Sequence, residues 1–268
     1  MNSTIKVFIG SGDESLLERK VLIYSIREHT QREVEIAVFN GTHNTIERDD
    51  GQVTAAPLAT KLKKRNLTEF SLYRYLIPES CGFSGRAIYL DSDMLCLTDI
   101  GELFDSPLRG NDFLCTRAYT DAHGEPMHAM STLLIDCERC PFDLSQVFDE
   151  IDRGLYSYTQ FSQMGKEFLR VHPYQIGELD ERWNVFDRYD SQTKIIHYTN
   201  LETQPWKFAG HPFGDIWFKY LSKARDAGFV TEKDIEDAQQ GSKQLVRVKG
   251  RVESFAARVR SAVRRISV

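Results

Sequence analysis

The order of elements in the first forty residues constrains the fold more than any other feature of this 268-residue chain. The β-branched run TIKVFI (residues 4–9) ends at the turn GSGD (10–13), a helical pattern of apolar residues follows up to Ile26, and VEIAVF (34–39) is a second strand. Strand, glycine turn, helix and strand in this order begin a parallel α/β sheet, whose ligands bind beyond the carboxyl ends of the strands. We therefore predict a single α/β domain over residues 1–240, with a mixed, mostly parallel sheet and its first loop close to a ligand.

The composition is that of a globular domain, with 41% hydrophobic and 27% charged residues. No window approaches the roughly 18 consecutive apolar residues that a spanning helix needs, and the first residues do not resemble a signal peptide, so we expect a protein that is neither membrane-spanning nor secreted. The five cysteines are an odd number, which predicts buried free thiols in a reducing compartment. Cys137 and Cys140 have the spacing of a zinc or redox pair, but no second Cys or His pair accompanies them, so we interpret both as structural.

A third strand, AIYL (87–90), ends in two aspartates that flank Ser92. Asp91 and Asp93 come too early to cap the next helix, a role that Asp99 fills. Two carboxylates in a turning segment can hold Mg²⁺ or Mn²⁺ together with substrate phosphates. A solvated turn also carries two acids often, so this stretch alone leaves both a metal site and a plain turn open.

Four blocks of the sequence, in order along the chain, resemble glycosyltransferase family 8. They are VFIGSGDES (7–15), LYRYLIPE (72–79), RAIYLDSDMLCLTDIGELF (86–104) with its Asp-X-Asp motif, and IIHYTNLETQPWK (195–207). The chain looks like a divergent, bacterial-type member of this family. The resemblance implies the GT-A fold, a Rossmann-like α/β domain, and the retaining transfer of a sugar from a nucleotide sugar with the help of a divalent cation.

The same resemblance implies roles for individual residues. The implied ligands of the cation, Mn²⁺ or Mg²⁺, are Asp91, Asp93 and His197. The implied contacts to the donor are Gly10, Asp13, Arg74, Asp91, Ser92, Trp206 and Lys207, and the implied catalytic residue is Gln160. For Arg74, a salt bridge to Glu69 or Glu79 is an equal alternative. Without the resemblance, His197 would be interpreted as a packed histidine at a strand end.

The sequence departs from the family pattern at positions that matter for the donor. Ala129 stands where the family has an asparagine, and Gln204 stands where it has a lysine that would clamp the diphosphate. Lys207 is the nearest replacement for that lysine. Retention is implied by the resemblance alone, and we expect front-face displacement. Asp180 and Glu181 are the acids to consider for a double displacement, against the alternative that both are solvated loop charges.

The end of the chain differs in charge from the rest. Residues 242–268 carry eight basic residues and one acid, a local charge of +7, whereas the residues before them carry −12 and the whole chain −5. Apolar residues recur every three or four positions from Leu245 to Ile266, which predicts a basic amphipathic helix over residues 241–268. We expect this tail to lie on an anionic membrane, while packing on the body or on a partner and contact with nucleic acid stay open.

Together these features predict an enzyme that moves a hexose from a nucleotide sugar, expected to be a UDP-sugar, to a glycan or glycolipid acceptor. We expect it in the cytoplasm, attached peripherally to the inner face of the plasma membrane, in surface polysaccharide or lipopolysaccharide synthesis, with no nucleic-acid partner. The alternative from another class is a non-catalytic nucleotide-sugar-binding or scaffold protein. The absence of the family's asparagine and lysine favours this alternative. A nucleotidyltransferase is more distant, because GSGDES lacks the Gly-rich, Lys- or Arg-bearing loop of that class.

Overall fold

The computed structural model describes residues 4–120, 124, 126–208 and 210–242, so the predicted tail lies outside the described residues from residue 243 on. The strands are β1 (Ile5–Ser11), β2 (Val34–Asn40), β3 (Thr45–Arg48), β4 (Val53–Ala55), β5 (Arg86–Asp91), β6 (Met94–Cys96), β7 (Phe113–Thr120), β8 (Pro126–Asp136), β9 (Ile176–Glu178), β10 (Val185–Phe186) and β11 (Ile195–His197). The α-helices are α1 (Leu16–His29), α2 (Thr60–Lys63), α3 (Ile77–Ser80), α4 (Gly101–Phe104), α5 (Leu144–Asp152), α6 (Tyr158–Ser162), α7 (Lys166–Val171), α8 (Gly214–Asp226) and α9 (Glu232–Ser242). Short 3-10 helices cover Asp13–Ser15, Tyr73–Leu76 and Glu181–Trp183.

The chain folds into two compact units whose segments interleave along the sequence. Among the described residues, the first unit comprises those up to Gly10, Arg32–Asp91 and Gly101–Asn184, and the second comprises Ser11–Gln31, Ser92–Ile100 and those from Val185 to residue 242. Each unit has its own sheet and its own cluster of buried apolar side chains.

The first unit is built on an eight-stranded mixed sheet in the order β4-β3-β2-β1-β5-β8-β7-β9. β1 pairs in parallel with β5, as β7 does with β9, whereas the pairs β5–β8, β7–β8, β2–β3 and β3–β4 are antiparallel. The central strands β1 and β5 read as nearly continuous apolar runs because both of their faces are covered. Their register places Gly10 opposite Asp91, at the carboxyl ends of both strands. The α/β class and a mixed sheet are thus confirmed.

Two segments of the first unit differ from the prediction. The segment 42–69 is polar and interrupted, which favours loop, yet it contains β3, β4 and α2. The run TEFSLYRYLIPES (68–80) has a pattern that favours one helix, yet it forms a 3-10 helix followed by α3, and the Asn66 side chain binds the Leu72 amide that a regular helix would use. Asn66 Oδ1 accepts a hydrogen bond of 2.7 Å from the Leu72 amide, and Ser71 Oγ accepts one of 3.0 Å from the Leu67 amide.

Pro78 does not end this helical segment, although a proline within a helical pattern favours an end at that point. It stands in the first turn of α3, where a missing N–H removes no intrahelical hydrogen bond. The residue therefore starts a short helix rather than stopping a long one.

The second unit packs helices on a three-stranded sheet in the order β10-β11-β6. β10 and β11 are parallel, and β11 is antiparallel to β6, with His197 opposite Met94. The core of this unit joins Leu17 and Val21 of α1 with Trp217 of α8 and with residues of β11. The helix predicted after the first turn is confirmed as α1, and the first three residues of the fourth family block form β11.

The cysteines are free and mostly buried, as their odd number indicated. All five cysteines are free thiols and four are buried, and burial raises the pKa of the Cys115 thiol to about 12. Over the residues that the structure describes, Cys137 and Cys140 belong to no group of potential metal ligands. Every helix in the same residues is too short or too polar to pass through a lipid bilayer.

Candidate metal centre

Two aromatic rings approach β1 closely at a point beside Asp91, the last residue of β5. A Cβ atom on Gly10 would lie 2.3 Å from the hydroxyl oxygen of Tyr89 and 2.6 Å from Cδ2 of Phe70, so only glycine fits here without displacing a ring. The Tyr89 hydroxyl donates a hydrogen bond of 2.6 Å to Asp91 Oδ1. Gly10 therefore makes room for the side chain that orients the first aspartate.

Arg74 is the charged partner of Asp91. Its Nη2 lies 3.4 Å from Asp91 Oδ1, its Nε donates to the Ser71 carbonyl at 2.9 Å, and its Nη1 donates to the carbonyl of Met130. The guanidinium also stands over the Tyr89 ring, 4.8 Å from the centroid. Burial alone would lower the pKa of Arg74, but Tyr89 and Asp91 hold it above its usual range. The sequence analysis left open a salt bridge to Glu69 or Glu79, and the ion pair that the structure shows is with Asp91 instead.

In the second unit, the antiparallel pairing of β6 and β11 brings Asp93 and His197 together. The Tyr198 amide donates a hydrogen bond of 3.0 Å to the Asp93 carbonyl, which holds the backbone of Asp93 beside that of Tyr198 and its neighbour His197. Nε2 of His197 lies 3.1 Å from Asp93 Oδ1, and the His197 ring is 6% exposed and packs edge-on against Phe186. The other oxygen, Asp93 Oδ2, accepts a hydrogen bond of 3.1 Å from the amide of Gln204.

Asp91, Asp93 and His197 form a group that can hold a metal ion. One potential ligand atom from each of the three lies within 4.8 Å of the others. Asp91 and Asp93 are separated in the chain only by Ser92, which is itself buried. The three residues are those that the family resemblance implied as ligands.

The atoms of this group fit a hard divalent cation. Asp93 Oδ1 is buried and has no hydrogen-bond partner among the described residues, although Nε2 of His197 is 3.1 Å away. A carboxylate oxygen and a neutral imidazole nitrogen at this distance would oppose their lone pairs, unless a proton or a cation lies between them. Carboxylates are common ligands of Mn²⁺ and Mg²⁺, and imidazole is a common ligand of transition metals, so the group as a whole suits a divalent cation.

The fold resembles those of solved glycosyltransferases. The bifunctional glycosyltransferase WbbM matches with a TM-score of 0.60 and 15% identity over 88% of this chain and 51% of its own. The galactosyltransferase LgtC, in complex with donor and acceptor sugar analogues, matches with a TM-score of 0.59 and 14% identity over 82% of this chain and 96% of its own. GlyE of Streptococcus pneumoniae TIGR4 matches with a TM-score of 0.58 and 16% identity over 91% of this chain and 64% of its own.

This chain has the GT-A fold. It spans about half the length of the WbbM chain and nearly all of the LgtC chain. No protein-family model matches the sequence, and no curated protein matches it. At these sequence identities the likeness establishes the fold and leaves the activity to be argued from the site.

The remaining implied donor contacts occupy different environments in the second unit. Asp13 is exposed in the 3-10 helix Asp13–Ser15. Trp206 is buried in the core, with its ring centroid 5.0 Å from that of Trp217. Lys207 is half-buried, and its amide donates to the Gln204 carbonyl at 2.8 Å, so it lies on the same turn as Gln204. Contact of these residues with a donor stays a prediction.

Gln160 and Asp180 have local structural partners in the first unit. Gln160 Oε1 accepts a hydrogen bond of 3.0 Å from the Glu167 amide and so caps the start of α7. The Asp180 carboxylate accepts hydrogen bonds of 2.9 Å from Arg182 Nε and caps the 3-10 helix that follows. Neither belongs to the Asp91, Asp93 and His197 group. The catalytic role of Gln160 stays a prediction.

Glu18 is an acid of this region that the sequence analysis did not identify. It is 7% exposed on α1, and its pKa is raised to about 7, chiefly by burial, with a smaller rise from Asp93 that Lys207 opposes. Its position four residues before Leu22, on the buried face of α1, was the available signal. An acid on an apolar helical face indicates a buried partner or a shifted pKa.

Proposed function

We propose that this protein is a metal-dependent glycosyltransferase that moves a hexose from a nucleotide sugar to a glycan or glycolipid acceptor. The observation that carries the proposal is the approach of Asp91, Asp93 and His197 to one another on a GT-A fold. The likeness to solved glycosyltransferases supports the class of reaction. The four blocks that resemble family 8 support a UDP-sugar as the donor and retention at the anomeric carbon.

Different residues of the chain have different roles in binding the donor. Asp91, Asp93 and His197 would hold the cation, and a bound cation would neutralise the charge that develops on the departing nucleoside diphosphate. Arg74 and Tyr89 orient Asp91 before the donor arrives. Lys207 is the positive group that we assign to the diphosphate, in place of the lysine that the family has at position 204.

The hydrogen bonds of Asp180 favour a displacement without a covalent intermediate over a double displacement in which Asp180 is the nucleophile. Hydrogen bonds from Arg182 and from the amide that Asp180 caps occupy both of its oxygens. The acceptor hydroxyl would then bond to the anomeric carbon on the face from which the diphosphate leaves and would give its proton to an oxygen of that diphosphate, which retains the anomeric configuration.

Release of UDP from UDP-hexoses in the presence of Mn²⁺ tests the proposal without a known acceptor. Asp93→Asn and His197→Ala are expected to slow this release at least about 100-fold, because each removes a ligand of the ion that stabilises the leaving group. His172→Ala is the matched control, since it removes a histidine paired with a buried carboxylate, Glu150 at 2.6 Å, outside the group. Full activity of either site variant without added metal would refute the site.

A non-catalytic nucleotide-sugar binder is the second candidate. It is favoured by one observation: Gln204 is hydrogen-bonded to Asp93 where the family has a lysine for the diphosphate. Such a binder would show a higher melting temperature with a UDP-sugar and Mn²⁺ but would release the donor unchanged. Detection of free UDP and free hexose therefore separates the two candidates.

We also propose, from sequence alone, that residues 242–268 bind anionic lipid at the inner face of the plasma membrane. A glycolipid acceptor of surface polysaccharide or lipopolysaccharide synthesis would be concentrated there. Co-sedimentation with anionic and neutral vesicles, for the full chain and for a version that ends at residue 241, tests the assignment. Equal binding of both versions to anionic vesicles would exclude it.

A further inference from the structure

Gln204 makes two hydrogen bonds with one buried amide group. Its side chain is 3% exposed, and Nε2 donates to Asp93 Oδ2 at 3.1 Å and to the Tyr198 carbonyl at 2.9 Å. The Tyr198 amide in turn donates to the Asp93 carbonyl at 3.0 Å. One short segment, residues 198–204, therefore holds Asp93 at both its backbone and its side chain.

We propose that Gln204 is a positioning residue for the metal ligand Asp93, an inference that rests on the proposed function. By fixing Oδ2, the amide turns Oδ1 toward His197 Nε2 and leaves Oδ1 without a hydrogen bond of its own. A carboxylate that is already oriented loses less conformational freedom when it binds a cation. The Gln204 amide thus prepares one oxygen of Asp93 for the ion.

A neutral group suits this position better than a cation. An ammonium group beside Asp93 Oδ2 would form an ion pair with the carboxylate and would repel a divalent cation at Oδ1 across a few ångströms. The amide instead donates two N–H groups, one to Asp93 and one to Tyr198, and carries no charge. Replacement of the family's lysine by Gln204 therefore changes the role of this position from binding phosphate to orienting the metal ligand Asp93.

The affinity of the metal-free protein for Mn²⁺, measured by calorimetric titration or by the EPR signal of free Mn²⁺, tests this role apart from activity. Gln204→Met keeps the volume of the side chain and removes both hydrogen bonds. It is expected to weaken Mn²⁺ binding about 10- to 100-fold, the usual range for groups that orient metal ligands. Gln204→Lys is expected to weaken it at least as much, and it gives a second readout if the methionine variant does not fold.

Asn184→Leu is the matched control. Asn184 is 5% exposed, and its amide donates to Thr116 Oγ1 at 3.1 Å and to Ser131 Oγ at 3.0 Å, both in the first unit. This variant removes an equally buried amide and is expected to change Mn²⁺ affinity less than twofold, even though its melting temperature falls. Comparison of the Gln204 and Asn184 variants thus separates the loss of orientation at Asp93 from a general loss of stability.

Each outcome decides the inference. A wild-type protein that binds Mn²⁺, together with weak binding by both Gln204 variants and normal binding by Asn184→Leu, supports it. Equal binding by the wild type and by Gln204→Met overturns the role of Gln204 and leaves the proposed function standing. A wild-type protein that binds neither Mn²⁺ nor Mg²⁺ overturns the proposed metal site, and the role of Gln204 with it.

Discussion

Asp91 and Asp93 are separated by one residue, yet their charges are compensated in different ways. Asp91, in the first unit, faces the guanidinium of Arg74 and accepts a hydrogen bond from the Tyr89 hydroxyl. Asp93, in the second unit, accepts a hydrogen bond from the neutral amide of Gln204 and faces the ring of His197. The chain thus supplies a permanent positive charge to one carboxylate and a neutral donor to the other. This difference indicates that an added cation matters most at Asp93.

Removing the positive partner of Asp91 should give the largest effect on stability. Arg74→Met removes the ion pair to Asp91 and the donors to two carbonyl oxygens, which is expected to lower the free energy of unfolding by about 3–5 kcal/mol in EDTA. Mn²⁺ should recover part of this loss, because the ion would take over the compensation of Asp91. Urea unfolding with and without Mn²⁺ measures both effects.

Arg139→Met is the control for this prediction. Arg139 Nε lies 2.7 Å from Asp112 Oδ1, but its side chain is 47% exposed, so the loss should be smaller and should not respond to Mn²⁺. An Arg74→Met variant as stable as the wild type in EDTA would show that Asp91 does not depend on this charge.

The surroundings of Asp93 can be examined through Glu18 and pH. Because its pKa is raised from 4.5 to about 7 in the folded protein, the associated stability is complete below about pH 4.5 and is lost as pH rises through 7. Between these limits the wild type should lose about 3 kcal/mol relative to Glu18→Gln, measured by urea unfolding in EDTA. The exposed Glu14→Gln is the control and should follow the wild type. Parallel pH profiles for the wild type and Glu18→Gln would contradict the assignment.

Changes around the Tyr89 hydroxyl, which binds Asp91, should give the smallest of the three effects on stability. Gly10→Ala would force the Tyr89 ring away from its place and should cost about 1–3 kcal/mol. Tyr89→Phe removes the oxygen that a Cβ atom at residue 10 would meet, so the double variant should lose less than the sum of the single losses. A strictly additive double-mutant cycle, measured by thermal unfolding, would show that the two residues do not interact through this contact.

The sequence predicted those elements whose local pattern and final environment agree. The runs TIKVFI, VEIAVF and AIYL became β1, β2 and β5 because continuous β-branched and apolar residues suit strands that are covered on both faces. The strands within 42–69 could not be predicted, since β3 and β4 are only four and three residues long and owe their conformation to pairing, β3 with β2 and β4 with β3. The 3-10 helix from Tyr73 depends on side-chain hydrogen bonds, which an apolar pattern does not indicate.

The candidate site was predicted in part, for similar reasons. Asp91, Asp93 and His197 were implied by motifs, and the structure brings them together. The roles of Tyr89 and Gln204 were not predicted, because each depends on a contact set by the fold: the Tyr89 hydroxyl on space above Gly10, and the Gln204 amide on Asp93, more than a hundred residues earlier in the chain. The pattern identified the ligands, while the residues that orient them required the structure.

Anomalous diffraction from crystals grown with Mn²⁺ and UDP tests the central claim most directly. We expect a manganese peak about 2 Å from a carboxylate oxygen of Asp91, a carboxylate oxygen of Asp93 and a ring nitrogen of His197, with diphosphate oxygens on its open side. A manganese peak elsewhere, or one beside the aspartates with the His197 ring out of reach, would contradict it.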